Sequence, residues 1–334
     1  TQGVLSLQTM DAGTLKAIKR SNIKVEKYDA LANEMRNSNL QLSVELMMGL
    51  PGATLESYVE DLQQCIDREM TARINQTTLL VNSPMNEPEY RSEYQIETST
   101  VLGPGKMPAL ISTSTYTRED MHLMLDLRQL FILFENFGIL RLCARFVRQQ
   151  TGMTEMALYQ KLYADMEPPA KRTQWPLLST LVRWGQHMMA PVYSWGLVIE
   201  ELRRFLIAEC GVADDSTLEA VLKAQHALLP AHGRAFPYSV ELSHDVVAWH
   251  GKMIEAKAGG HRHDWHLIVP PLSEYTSGSL EVNDEGGLVT DLLGCDCELT
   301  AVGVNWDMKS GIGRARVEQN FNSAWEAEEI VQAQ

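Results

Sequence analysis

The sequence predicts an α/β chain: part of a parallel (β/α) barrel, then a helical region, then a small α+β unit. Three observations predict it. Within residues 1–94, three apolar runs alternate with helix-like runs, and each closes on a polar or glycine-rich turn, as successive βα units do. Residues 117–229 carry dense apolar positions at helical spacing, punctuated by capping residues. Beyond Pro230 the apolar runs become short and strand-like. The expected regions are 1–115, 116–229 and 230–334.

The first βα unit is VLSLQTMDAGTLKAIKRSNI (Val4–Ile23): a short strand ending near Gln8, then a helix capped at Asp11 and closing on Lys19 and Arg20. The second is LQLSVELMMGLPGATLES (Leu40–Ser57). Its apolar-rich start, Leu40–Met48, suits a strand covered on both faces. Gly49 and Gly52 let the backbone turn sharply and leave no side chain in a ligand's way, and Pro51 stops the strand. Thr54 can cap a helix running to about Glu69. A tight turn without a ligand explains the GLPG run equally well. The third unit, ARINQTTLLVNSPMNEPEYRSEY (Ala72–Tyr94), reads as a strand and an Asn-Ser-Pro loop. Ligands of parallel sheets sit at the carboxyl ends of the strands.

Thr117 and Asp120 form a capping box at the head of a long helical pattern in which Gly138 marks a kink or break and Gly152 the end. Further helices are expected near Thr154–Met166, Trp175–Met189, Pro191–Cys210 and Ser216–Leu229, with Glu167–Lys171 as a connector. After Pro230 a strand is expected over Ala235–Leu242 and a helix over His244–Lys257. Short strands follow at Leu267–Pro270, Leu280–Val282, Gly287–Leu293 and Cys297–Val304. The end, Ala324–Gln334, reads as a surface helix or frayed tail.

With 334 residues, 45% hydrophobic and 22% charged, the chain can bury a substantial core. A net charge of −14 disfavours nucleic acid or an anionic membrane as the main partner. No apolar run reaches the ~18–20 residues needed to span a bilayer. No signal peptide is visible, and five cysteines without framework spacing suit a reducing, cytoplasmic compartment.

Outside the βα units, His261, His263 and His266 spell HxHxxH, open to a metal reading but better suited to a solvated, glycine-flanked loop. Cys295 and Cys297 are too close for a zinc knuckle and read as structural thiols. Trp175, Trp184, Met188, Met189 and Trp195 fall at helical spacing and read as helix-packing residues.

The segments SLQTMDAGTLKAIKR, VELMMGLPGATLESYVEDL, LLVNSPMNEPEYRSEYQIE and STSTYTREDMHLM, in this order and spacing, resemble the second half of the radical S-adenosylmethionine (SAM) barrel, most closely that of the cobalamin-binding subfamily. They are similar to its fourth, fifth and sixth strand-helix units and the segment that follows, over about residues 1–150. One departure matters. The CxxxCxxC motif that holds the family's 4Fe-4S cluster is absent; the cysteines are Cys65, Cys143, Cys210, Cys295 and Cys297. With a start at Thr1, the expectation is a fragment whose cobalamin domain and cluster motif lie upstream and which is inactive alone.

The resemblance implies a SAM site. Gln8 can donate and accept at a strand end. Arg20 could reach a carboxylate, although a helix-terminal cation favoured by the dipole is an equal account. Glu45, an acid in an apolar strand, needs a partner and would face the barrel lumen. Gly49, Leu50, Pro51 and Gly52 would lie near the adenine through backbone groups, with Asn82 and Ser83 polar lumen residues. Tyr90 and Arg91 would face substrate or cobalamin; no catalytic residue is assigned.

By the same resemblance the complete protein would bind SAM, a 4Fe-4S cluster and cobalamin. A 5′-deoxyadenosyl radical would activate an unactivated carbon of a small molecule or peptide for methylation, with electrons from a flavodoxin or ferredoxin. Cyclisation or rearrangement is the alternative outcome. A SAM- or partner-binding module without radical chemistry, and an ordinary barrel enzyme using Glu45 as acid or base, remain open.

Overall fold

The computed structural model describes residues 3–21, 30, 31, 34, 42–102, 107–136, 138–187, 195–229, 235, 237–283, 302–307 and 312–317. The chain divides into two compact units, with the boundary between Arg128 and Gln129.

The first unit is built on a parallel sheet of three strands, β1 (Gly3–Gln8), β2 (Leu42–Met48) and β3 (Thr71–Gln76), with β2 in the centre. Parallel neighbours need crossover connections; helices α1 (Ala12–Ala17) and α2 (Leu55–Asp67) lie in them. The caps are those expected: Asp11 accepts from the Thr14 amide, and Thr54 and Ser57 form a reciprocal capping box. The α/β class of this region is thus observed.

Alternation along the strands separates two faces. Val44, Leu46 and Met48 of β2 and Ala72 and Ile74 of β3 are buried, and α2 contributes Tyr58, Leu62, Cys65 and Ile66 to the core. On the opposite face Glu45, Met47 and Arg73 are half-buried, and Ser6 and Asn75 are exposed. The expected burial of β2 on both faces holds at Ser43 and is partial at Glu45 and Met47, where a polar row shares the strand with the apolar one.

Past β3 the chain adds an antiparallel hairpin, β4 (Glu97–Leu102) and β5 (Pro108–Ser112), which the sequence reading did not anticipate. A bridge between Thr78 and Ala109 ties it to the extension of β3. A 3-10 turn (Pro84–Asn86) and α3 (Pro88–Glu93) intervene, over a small core of Leu79, Tyr90, Ile96 and Leu110. Helix α4 (Arg118–Phe131) opens on the expected Thr117–Asp120 box.

The second unit begins in the same helical run. A π-helical segment (Ile132–Asn136) and Gly138 at φ +74° break it as expected, and α5 (Arg141–Thr151) ends on left-handed Gly152. Helices α6 (Glu155–Met166), α7 (Pro169–Gln174), α8 (Pro176–His187), α9 (Trp195–Cys210) and α10 (Ser216–Leu228) follow. Then come β6 (Tyr238–Leu242), α11 (Val246–Ala258), α12 (Trp265–Ile268) and β7 (Gly278–Val282), which pairs antiparallel with β6. β8 (Val302–Asp307) and β9 (Ile312–Val317) form a separate hairpin.

Two expectations fail here. The Glu167–Lys171 connector is partly helical, because Pro169 stands at the first position of α7, where its missing N–H costs nothing. The strand expected at Leu267–Pro270 is instead the end of α12: fully buried Trp265 anchors a helical turn, and the Val269 amide donates to its carbonyl. The strand at Gly287–Leu293, the start of that at Cys297–Val304, and the Ala324–Gln334 tail lie outside the described residues.

The interior of the second unit holds an ionic layer. Arg145 clasps the Glu135 carboxylate with both terminal nitrogens and lies 3.4 Å from Glu155. Arg148 binds Glu155 at 2.9 Å, and the Tyr159 hydroxyl donates to Glu135 at 2.8 Å. All five side chains are buried. Such charges are tolerated only in mutual, geometrically matched pairs.

Candidate functional site

The strand register builds the site. Ser6 on β1, Glu45 on β2 and Arg73 on β3 are lateral partners, so one row on the half-open face reads hydroxyl, carboxylate, guanidinium. The Ser6 hydroxyl donates to Glu45 at 2.5 Å, and Arg20 donates through Nη2 to the Ser6 carbonyl at 3.1 Å. Glu45 thus has a partner, and Arg20 folds back from the end of α1 toward the sheet. The sequence reading missed Ser6 and Arg73, although alternation along ARINQ was the available signal: it puts Arg73 and Asn75 on one face.

Further along β1 the strand bulges between Ser6 and Gln8, which registers with Leu46, and Gln8 takes a left-handed φ of +70°. For a residue with a Cβ this costs roughly 1–2 kcal/mol. The following turn is held by Asp61 of α2, buried and accepting from the Thr9 hydroxyl at 2.6 Å and the Met10 amide at 2.8 Å. Burial pushes the Asp61 carboxyl up to about 6, against the lowering effect of those two hydrogen bonds. Asp61 was also missed. Its signal was an acid on the face of α2 shared with Tyr58, Leu62 and Cys65.

The GLPG turn closes β2 at the same end of the sheet. Gly49 has φ +76°, a Cβ there would lie 2.4 Å from the Met121 methyl, and its carbonyl accepts from the buried Tyr116 hydroxyl at 2.8 Å. At Gly52, φ is +88° and a Cβ would meet that of Ala17 at 2.7 Å. Leu50 and Pro51 are buried, and the Ala53 carbonyl accepts from Thr115 at 2.6 Å. Both glycines are therefore demanded by backbone conformation and protein packing. Tyr116, far along the chain, left no local signal.

Asn82 and Ser83, expected at the end of the third strand, lie beyond it, since β3 ends at Gln76, and the stretch before the 3-10 turn is more open. Val81 is 79% exposed and Leu80 49%; Asn82 is exposed, and the Ser83 hydroxyl accepts from the Met85 amide at 3.2 Å. Tyr90 is buried, stacks 4.6 Å from Tyr94, and spends its hydroxyl on the Ala17 carbonyl at 3.1 Å. Arg91 contacts Asn86 at 3.5 Å. Of the residues singled out, Glu45 and Arg20 both bond Ser6, Gln8 ends β1 and Gly49–Gly52 follow β2, while Asn82, Ser83, Tyr90 and Arg91 belong to the segment around α3.

Elsewhere, His261 and His263 are exposed, His261 lies 3.4 Å from Asp264, and the His263 carbonyl accepts from Arg148. Among the described residues no three His, Cys, Asp or Glu side chains converge to hold a metal ion. Cys65, Cys143 and Cys210 are buried and unbridged; Cys295 and Cys297 lie outside the described residues. Trp175 is buried as a packing residue and Trp195 half-buried; the side chains of Trp184, Met188 and Met189 lie outside the described set. Among the described residues no helix is long and apolar enough to cross a membrane.

No family model matches the chain. Two curated proteins do. The cobalamin-dependent radical SAM methyltransferase TokK of Streptomyces tokunonensis is 24% identical over 296 residues, covering 72% of this chain. The 2-(S-pantetheinyl)-carbapenam-3-carboxylate methyltransferase of Streptantibioticus cattleyicolor is 23% identical over 296 residues, covering 71%. The chain spans 43% of the length of each. This chain is therefore similar, at a distance, to methyltransferases, one of them named as a cobalamin-dependent radical SAM enzyme.

Proposed function

We propose that this chain supplies the SAM-contacting sheet of a cobalamin-dependent radical SAM methyltransferase acting on an unactivated carbon of a small molecule or peptide. The observation that carries it is the polar row on the half-open face of a parallel sheet, beside a glycine-gated strand end, in a chain similar to such an enzyme over 72% of its residues. SAM presents an ammonium, a carboxylate, a ribose diol and an adenine. Glu45 is suited to the ammonium, Arg20 or Arg73 to the carboxylate, and Gln8 to the hydroxyls.

The described residues do not fit a 4Fe-4S cluster: no CxxxCxxC occurs, and no three candidate ligands converge among them. The cluster and cobalamin sites are assigned to parts of the protein outside this chain. When bound, SAM and cobalamin supply the hydrogen-abstracting radical and the methyl group. The chain's task is to bind, orient and shield them.

The test is to express the protein from its whole reading frame, anaerobically with iron and sulfide, and record absorption and electron paramagnetic resonance spectra with and without SAM and cobalamin. A cluster signal perturbed by SAM, with cobalamin bound, supports the reading, and Glu45→Gln should then weaken SAM at least about tenfold. SAM binding without any cluster would favour the binding module lacking radical chemistry. Absence of both sinks the proposal.

A further inference from the structure

We infer that Asp61 is a positioning residue that aims Gln8 at the ligand, acting through the Thr9 turn. The inference rests on the SAM reading above. Its physical basis is a relay running from α2 to α1. Asp61 Oδ2 accepts from the Thr9 hydroxyl at 2.6 Å, and Asp61 Oδ1 accepts from the Met10 amide at 2.8 Å. Thr9 Oγ1, its proton given to Asp61, accepts from the Asp11 amide at 3.0 Å, and Asp11 Oδ2 accepts from the Thr14 amide at 2.6 Å. The turn is thereby fastened along its length without a glycine.

Gln8 stands immediately before this relay in the left-handed conformation. Leu7 and Thr9, on either side of it, are 2% and 3% exposed, whereas Gln8 is only half-buried. Two fixed neighbours thus force the backbone between them to turn, and the turn sets where the amide of Gln8 goes. An acid on the apolar face of a helix is expensive to keep unless it has a task. A packing role alone could be filled by an apolar side chain on α2. Holding a strained polar strand end needs an acceptor for both a hydroxyl and an amide, which a carboxylate provides.

A structural brace and a positioning residue differ in their coupling to Gln8. The experiment is a double-mutant cycle on the whole cluster-loaded protein, reading SAM dissociation constants by anaerobic titration calorimetry. Gln8→Ala and Asp61→Ala should each weaken SAM by about tenfold, and the double variant should be no more than about twofold weaker than Gln8→Ala alone. Thr9→Val, which removes the relay hydroxyl at nearly constant volume, should repeat the pattern if Asp61→Ala fails to fold. Hydrogen exchange at the Met10 amide should quicken in both relay variants. Multiplying losses, or no loss from either relay variant, would overturn the inference while leaving SAM binding intact. A wild-type protein that binds no SAM would sink the underlying reading instead.

Discussion

Glu45 in the first unit and Glu155 in the second both stand among apolar neighbours in the sequence, yet their surroundings differ sharply. Glu155 is wholly buried between two guanidiniums, in a layer that also holds Glu135 and Tyr159. Glu45 is half-buried on an open sheet face, with the Ser6 hydroxyl as its hydrogen-bond donor among the described residues. The first arrangement satisfies charge with charge inside the protein and leaves little for a ligand to add. The second keeps a half-buried carboxylate in mid-strand, hydrogen-bonded by a neutral hydroxyl rather than by a cation. Sequence context marked Glu45 as an acid needing a partner and gave no such sign at Glu155; the fold separates an acid locked between cations from one bound to a neutral hydroxyl.

Substitutions can break this contrast at either end. Arg145→Leu removes the guanidinium that two buried carboxylates share and should cost about 3–5 kcal/mol of unfolding free energy in urea melts; a loss under about 1 kcal/mol would mean the layer is wet rather than sealed. Next comes pH. Asp61 has its pKa raised to about 6 by burial, so the folded state holds that proton more tightly than the unfolded chain. Stability should therefore fall as pH rises from about 4 to about 6, by on the order of 3 kcal/mol, and Asp61→Asn should flatten that slope.

Smaller effects sharpen the first unit's side. Gly49→Ala meets both a positive φ and the Met121 methyl, and should cost roughly 1–3 kcal/mol, part of it recovered by adding Met121→Ala. Glu45→Gln retains an acceptor for Ser6 and should change stability by less than about 1 kcal/mol while weakening SAM. Least of all, Glu97→Ala removes an exposed pair with Arg118 and the hydrogen bond from Ser112, and should leave the thermal unfolding midpoint almost unchanged. A large stability loss at Glu45 would erase the distinction between the two acids.

Much of the local structure was legible. Asp11, Thr54, Thr117 and Gly152 announced helix ends through chemistry confined to a few neighbouring residues. The parallel units were readable because each strand, turn and helix follows in sequence. The rest depended on distance. The Tyr116 hydroxyl on Gly49, Tyr90 on Ala17 and Gln225 bridging Gly138 and Leu142 join residues that no local window contains. At Leu267–Pro270 the apolar run suggested a strand, but one buried indole, Trp265, decided for a helix. The row Ser6–Glu45–Arg73 lay between these cases, since each strand showed its alternation and only pairing could align the three.

The π-helical segment at Ile132–Asn136 has a further consequence, which concerns tolerance to insertion and deletion. A π turn accommodates one residue more than an α turn, so this stretch reads as a length change absorbed in place. Deleting one residue there, Leu133 for instance, would restore a regular α-helical repeat and rotate Glu135 by about 100° about the axis. The carboxylate would then leave Arg145 and Tyr159 behind. A change that improves the helix as a helix would unmake the ion layer, and the reading frame of this segment is as constrained in length as in composition.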